Sequence, residues 1–151
     1  MPGYESHVGT DDAVIEMARA VRRTVFIEEQ GVSEAEEMDG KDTEAIHVVV
    51  THGDDPVGTA RVRFPDERTA KVERVAVLPA YRREGVGRQV MRVAESRAAE
   101  QGGTRATLHS QIRVQGFYES LGYAPVGDRF EEAGIPHIEM VKELSHSRTS
   151  T

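Results

Sequence analysis

The sequence predicts a mixed α/β fold: a mostly antiparallel sheet with a central parallel βαβ crossover and helices on both faces. Three observations predict it. First, β-branched runs follow one another at 45–52, 57–64 and 71–78, separated by the turn tetrapeptides GDDP and PDER, which is the pattern of an antiparallel meander. Second, the third run leads through a glycine-containing loop into a helical pattern and then into RATLHS at 105–110. Strand, helix, strand in that order makes a right-handed crossover with the two strands parallel. Third, one amphipathic helix precedes the meander and a shorter helix follows the crossover, so helices are available to cover the sheet.

The elements follow in order. Asp11 or Asp12 caps a first helix, with Val14, Ile15, Ala18, Val21 and Val25 at helical spacing. That helix runs to about Glu29 and ends at Gly31. SEAEEMDGKDTEA, 33–45, reads as acidic and irregular. AIHVVVTH (45–52) and VGTARVRF (57–64) pair as a hairpin, and KVERVAVL (71–78), nearly all apolar at its end, reads as central. A helix from 86 to 101 presents Val86, Val90, Val93 and Ala94 on one face and stops at Gly102 and Gly103. QGFYESLG (115–122) is a short helix, and strands are expected around 124–127 and 137–143. The tail SHSRTST is small and polar, so a single domain at 1–144 with a disordered tail at 145–151 is expected.

A chain of 151 residues, 38% hydrophobic and 30% charged, suits one folded domain. No apolar run approaches the ~20 residues of a membrane span, and MPGYESHVGTDD lacks the regions of a signal peptide. The expected location is the cytoplasm. The absence of cysteine excludes disulfides, thiolate metal sites and a cysteine nucleophile. A net charge of -7 argues against nucleic-acid binding through the whole surface. The cations are of an unusual kind, 16 Arg and 3 Lys.

YRREGVGRQVM, 81–91, carries the chemistry. Glycine where a helix begins costs roughly 0.5–1 kcal/mol against alanine, so something has to approach that backbone closely. The P-loop pattern is absent, and a G-x-G-x-x-G fingerprint fails at Val90. What stands is Arg82-x-x-Gly85-x-Gly87 between a strand and a helix. A helix N-terminus offers unpaired N–H groups and partial positive charge, and Arg82, Arg83 and Arg88 add cations around it. A di- or polyphosphate fits such a mouth; a tight turn with surface arginines is the plainer alternative. The histidine spacings suggest no metal site.

VERVAVLPAYRREGVGRQVM followed by GFYESLGY resembles the GNAT superfamily of acyl-CoA N-acyltransferases over nearly the whole chain, about 12–144. VRRTVFIEEQGVSEAEEMDGKDTEAIH, LHSQ and EEAGIPHIEM are similar to its ElaA-like branch. The resemblance implies the acyl-CoA N-acyltransferase fold and direct transfer of an acetyl group from acetyl-CoA to a primary amine. It implies that the backbone of Val75, Ala76 and Val77 pairs with the pantetheine arm, with the Val77 N–H polarising the thioester carbonyl. By the same implication Arg82, Arg83, Glu84, Gly85, Val86, Gly87 and Arg88 hold the pyrophosphate. Tyr118 matches the family tyrosine placed near the sulfur, where a phenol can donate to the departing thiolate; an ordinary core tyrosine beside Phe117 is the plainer alternative. Gln111 stands where the family often has a cofactor-contacting asparagine, which leaves its contact open. Glu73 and His109 are the candidate bases. Strand alternation puts Glu73 and Arg74 on opposite faces, and Glu73 either enters the cleft or pairs with a neighbouring arginine. His47 and His137 read as structural. The family's acceptor site falls here on 26–30 and roughly 130–137. Phe26, Glu28 and Glu29, with Glu131 and Glu132, make that mouth acidic, which favours a cationic amine or else is a solvated surface. A homodimer is expected; nucleic acid, membrane and metal are not. The competing reading is a non-catalytic acyl-CoA-binding sensor module.

Overall fold

The computed structural model describes residues 3–144; the predicted tail at 145–151 lies outside them. Among the described residues seven strands are present: β1 (Tyr4–Gly9), β2 (Ile46–His52), β3 (Asp55–Arg63), β4 (Thr69–Val77), β5 (Arg105–Gln111), β6 (Ala124–Glu132) and β7 (Ile135–Glu143). Four α-helices accompany them: α1 (Asp12–Arg22), α2 (Glu34–Glu37), α3 (Val86–Glu100) and α4 (Gln115–Ser120). The strand order is β1-β2-β3-β4-β5-β7-β6. β4 and β5 run parallel, with Thr69 opposite Arg105 and Val72 opposite Leu108. The pairs β1/β2, β2/β3, β5/β7 and β6/β7 are antiparallel. The predicted mixed sheet and crossover are therefore present.

The described residues form two compact units, one made of the residues up to Arg63 with Glu73–Ala94, the other of Phe64–Val72 with the residues from Glu95 onward. In the first, β2 and β3 make the predicted hairpin, with Val49 opposite Thr59 and Val50 opposite Gly58. Directly opposed residues share a face and successive ones alternate. Val49 packs with Val14 and Ala18 of α1, while a Cβ at Gly58 would stand 2.6 Å from Val86 and 3.1 Å from Val90 of α3. The two helices thus cover opposite faces of the hairpin. On the α1 face the side chains of β3 turn from Thr59 to Arg61, which is wholly buried opposite His47.

In the second unit β5 pairs with β7 from Arg105/Glu143 to Gln111/His137, and β6 with β7 on either side of an irregularity between Val126 and Phe130. Buried Ala106, Leu108, Tyr118, Tyr123 and Met140 form its apolar interior. The Tyr123 hydroxyl donates to Glu95 at 2.9 Å, and Lys142 donates to the other Glu95 oxygen at 2.8 Å.

Several sequence expectations are corrected here. A strand, β1, precedes the first helix. YESHVG has little apolar alternation to mark Tyr4–Gly9 as a strand; its pairing with β2 supplies the order. The first helix reaches Glu29 as expected, but its last seven residues, Arg23–Glu29, are wound as a π-helix, seen in the Gln30 N–H bond to the Val25 carbonyl at 3.1 Å. The acidic stretch is not irregular: it holds α2, capped by Ser33, and a 3-10 turn at Asp42–Glu44. The last two strands extend beyond the predicted 124–127 and 137–143.

Candidate active site

The first unit carries the glycine loop. β4 ends at Val77, a turn follows at Pro79–Tyr81, and α3 starts at Val86. Gly85 has φ +85°, a conformation that disfavours any side chain, and a Cβ there would meet nothing within 4 Å. Arg83 has φ 69°, also in the left-handed region. Left-handed residues alternating with right-handed ones just before a helix start are the backbone pattern from which anion-binding concavities are built. The first bond of the helix from this loop is Gln89 N–H to Gly85 O at 3.0 Å. The N–H groups of Val86 and Gly87 come before that ladder and have no acceptor within the helix. Gly58 lets this end of α3 settle onto β3, since a side chain there would collide with Val86. Sequence reading missed Gly58; a lone glycine inside VGTARVRF was the available sign.

The arginines of the loop differ. Arg83 and Arg88 are exposed. Arg82 is not a free cation: its Nε donates to the Val77 carbonyl at 3.0 Å, and its two terminal nitrogens grip Glu29 at 2.8 and 2.7 Å. Two residues expected to serve different ligands, Arg82 and Glu29, are therefore bound to each other. Phe26, half-buried on the same π-helical turn, packs on the cluster of Val21, Val25 and Ala76. Glu28 is exposed. π-Helical turns are rare and concentrate at functional sites, and this one coincides with Phe26, Glu28 and Glu29.

β4 departs from strand geometry in the middle. Arg74 has φ 56°, so alternation fails there. The expectation that Glu73 and Arg74 point to opposite faces is overturned: both end in one ionic network. Glu73 accepts from Arg61 at 2.7 Å and from Arg63 at 2.8 and 2.9 Å. Arg61 also reaches Asp39 at 2.8 Å and Asp42 at 3.1 Å. Arg74 donates to Glu37 at 3.0 Å and to Asp39 at 3.3 Å. Arg22 binds Glu37 at 2.7 Å and Asp42 at 2.8 Å. Burial opposes ionisation of Glu73, Asp39 and Asp42, but the arginine bonds and charges outweigh it and hold all three carboxyls low, Glu73 at about 2. A carboxylate held so low is a poor proton acceptor near neutral pH. His47 donates from Nε2 to the Asp42 carbonyl at 2.9 Å, and its buried Nδ1 has no partner among the described residues.

The second unit carries Tyr118, His109 and Gln111. Tyr118 is buried on α4, edge-on to Phe117 and Tyr123 at 5.0 and 6.0 Å between ring centres. Burial alone raises its phenol above the ordinary value. His109 and Gln111 are both half-exposed on β5, as two residues on one strand face should be. The Gln111 side-chain oxygen accepts from Arg113 at 3.1 Å. His109 Nδ1 lies 2.9 Å from Glu132 Oε1, and its ring meets Phe130 edge-on at 5.0 Å. That bond lowers the Glu132 carboxyl against burial. His137 is buried beneath Phe130, stacked at 6.0 Å, with Nδ1 2.6 Å from the Ile135 carbonyl. Its structural reading fits these contacts.

These elements have relatives. The sequence profile of the acetyltransferase (GNAT) domain matches residues 10–144. YyaT of Bacillus subtilis, an uncharacterized protein, is 43% identical over 143 residues, 93% of this chain and 96% of that protein. YjcF of the same organism, an uncharacterized N-acetyltransferase, is 40% identical over 124 residues, covering 82% of this chain and 88% of that one. The crystal structure of Escherichia coli ElaA superposes with a TM-score of 0.81 at 28% identity, over 95% of this chain and all of that one. The loop at 82–88, the crossover that presents it and these matches agree: the chain belongs to the GNAT family of acetyltransferases, with ElaA among its relatives.

Proposed function

We propose that this protein, as one catalytic domain over residues 1–144, moves an acetyl group from acetyl-CoA directly to a primary amine. The observation that carries the reading is the loop at 82–88. It holds left-handed residues at Arg83 and Gly85, with nothing within 4 Å of a Cβ built at Gly85, just before a helix start whose first N–H groups have no helical acceptor. That arrangement fits a pyrophosphate, which needs several donors converging on one side. When bound, acetyl-CoA supplies an activated acyl thioester.

The chain's own residues then have these roles. The backbone of Val75, Ala76 and Val77 aligns the pantetheine arm, and the Val77 N–H polarises the carbonyl; such a donor is often worth about 3 kcal/mol. Glu84, Gly85, Val86, Gly87 and Arg88 supply backbone donors, and Arg83 and Arg88 add charge. Arg82 shapes the loop, through Val77 and Glu29, in place of contacting phosphate. Tyr118 keeps its proton because it is buried, as a donor to a leaving thiolate must. Of the two candidate bases His109 is favoured, since Glu73 is held by two arginines. Gln111 lies on the His109 face as a contact for the cofactor arm. Phe26 and Glu28 line the acceptor side, where Glu28 favours a cationic amine.

Calorimetric titration with acetyl-CoA is the test, beside release of CoA thiol with a panel of primary amines. The wild type binds in the micromolar range, and Gly87→Val weakens binding by about tenfold or more. Tyr118→Phe keeps that affinity and lowers turnover by about 100-fold. Absence of binding by the wild type at both low and high salt sinks the reading. Full turnover by Tyr118→Phe removes the phenol from it.

A further inference from the structure

We propose that Glu132 is a positioning residue: it fixes the His109 ring and its tautomer so that Nε2 is the proton acceptor. The inference rests on the role given to His109 above. A carboxylate can only accept, so the 2.9 Å contact to Glu132 Oε1 places the ring proton on Nδ1. In the neutral ring Nε2 then carries the lone pair. The ring has a second constraint, the edge of Phe130 at 5.0 Å and 78°, and Phe130 is itself stacked on buried His137 at 6.0 Å and 24°. An imidazole held at one nitrogen by a carboxylate and along its plane by an aromatic has one orientation, which is what proton transfer from a substrate requires.

Other charges face the pair. Glu139, on β7, stands opposite His109 in the register, but its Oε2 accepts from the Thr107 hydroxyl at 2.9 Å. Lys71 on β4 and His137 on β7 act on Glu132 through their charge, both favouring its ionised form. Glu132 is thus the carboxylate bonded to His109.

A purely structural ion pair is the competing account, and exposure argues against it. The two side chains are 29% and 45% exposed, and a pair so open to water contributes little to folding. Variants at Glu132 should therefore fold normally, which makes the tautomer readable.

The experiment is nitrogen-detected NMR of the histidine rings in the intact protein at a pH where they are neutral, with thiol release measured in parallel. In the wild type His109 shows the Nδ1–H form. Glu132→Ala moves His109, and no other histidine, toward the Nε2–H form and lowers turnover by about tenfold with the KM for acetyl-CoA unchanged. Glu132→Gln, which keeps an acceptor oxygen, retains the Nδ1–H form. Adding Glu132→Ala to His109→Gln costs nothing further, because the two act as one unit. An unchanged His109 tautomer in Glu132→Ala, or additive losses in the double variant, overturns the inference while leaving His109 as base. Full turnover by His109→Gln overturns both.

Discussion

The loop at 82–88 and the segment at 33–45 are both short, strongly charged stretches of the first unit, and they use charge in opposite ways. In the loop, Arg83 and Arg88 are exposed while the structure lies in the backbone: left-handed turns at Arg83 and Gly85 and a helix start at Val86. In the acidic segment the side chains are the structure. Glu37 and Asp42 are buried to 3% and 4% exposure against Arg22 and Arg61, themselves at 1% and 0%. A charge in water is cheap to keep and nearly neutral for stability. A charge out of water requires its partner, and the planar, permanently charged guanidinium can serve two or three carboxylates at once. That is where the excess of arginine over lysine becomes structurally useful.

The contrast is sharpest in a pair of arginine substitutions. Arg61→Met takes one arginine at once from Asp39, Asp42 and Glu73, leaving them Arg74, Arg22 and Arg63. Removing one partner of a buried ionic cluster typically costs about 3–5 kcal/mol. Arg83→Met, at an exposed position, changes stability by less than about 0.5 kcal/mol and weakens acetyl-CoA binding instead. Urea unfolding and calorimetry on both proteins read the two effects separately. Equal stability of the two variants would erase the distinction between the regions.

Acid separates them next. Glu73, Asp39 and Asp42 have folded-state pKa values below their ordinary ones, so the stability they contribute is complete above the usual carboxylate range and is lost as pH falls through it, for Glu73 from 4.5 down to about 2. The urea midpoint should hold between pH 7 and 5 and fall steeply below about 4.5, and the fall should be shallower in Arg61→Met, where this linkage is weakened. A midpoint independent of pH down to 3 would mean the network contributes nothing.

How much of this the sequence showed follows the same division. The meander, the crossover and the loop are local: each is written in consecutive residues, as alternation, turn chemistry or glycine spacing. The network is not. Arg22 meets Glu37 and Asp42 at 15 and 20 residues' separation, Arg61 meets Asp39 at 22, and Arg74 meets Glu37 at 37. No periodicity records such pairs, so SEAEEMDGKDTEA reads from sequence as acidic and irregular. The left-handed Arg74 was invisible for a second reason. No glycine marks it, and strand alternation, applied through it, put Arg74 on the wrong side. The bond between His109 and Glu132, 23 residues apart, was hidden in the same way as the network.

Arg82 and Glu29 offer the finest test, because they join a local motif to a non-local partner. Both side chains are about one-third exposed, 37% and 34%, so Glu29→Gln should alter stability by no more than about 0–1 kcal/mol. Its effect on acetyl-CoA depends on what Arg82 does. If Arg82 were a phosphate ligand restrained by Glu29, releasing it would free a cation and tighten binding by about tenfold or more, with a steeper loss in added salt. The geometry points elsewhere: Nε already holds the Val77 carbonyl at 3.0 Å, fixing the end of β4 where the loop begins. Glu29→Gln should then leave the acetyl-CoA Kd within about threefold of wild type, on the weaker side, with unchanged salt dependence. Arg82→Lys, which cannot hold the carbonyl and the carboxylate through a planar fork, should weaken binding more than Glu29→Gln does. A gain in affinity from Glu29→Gln would move Arg82 from the architecture of the loop to its ligand set.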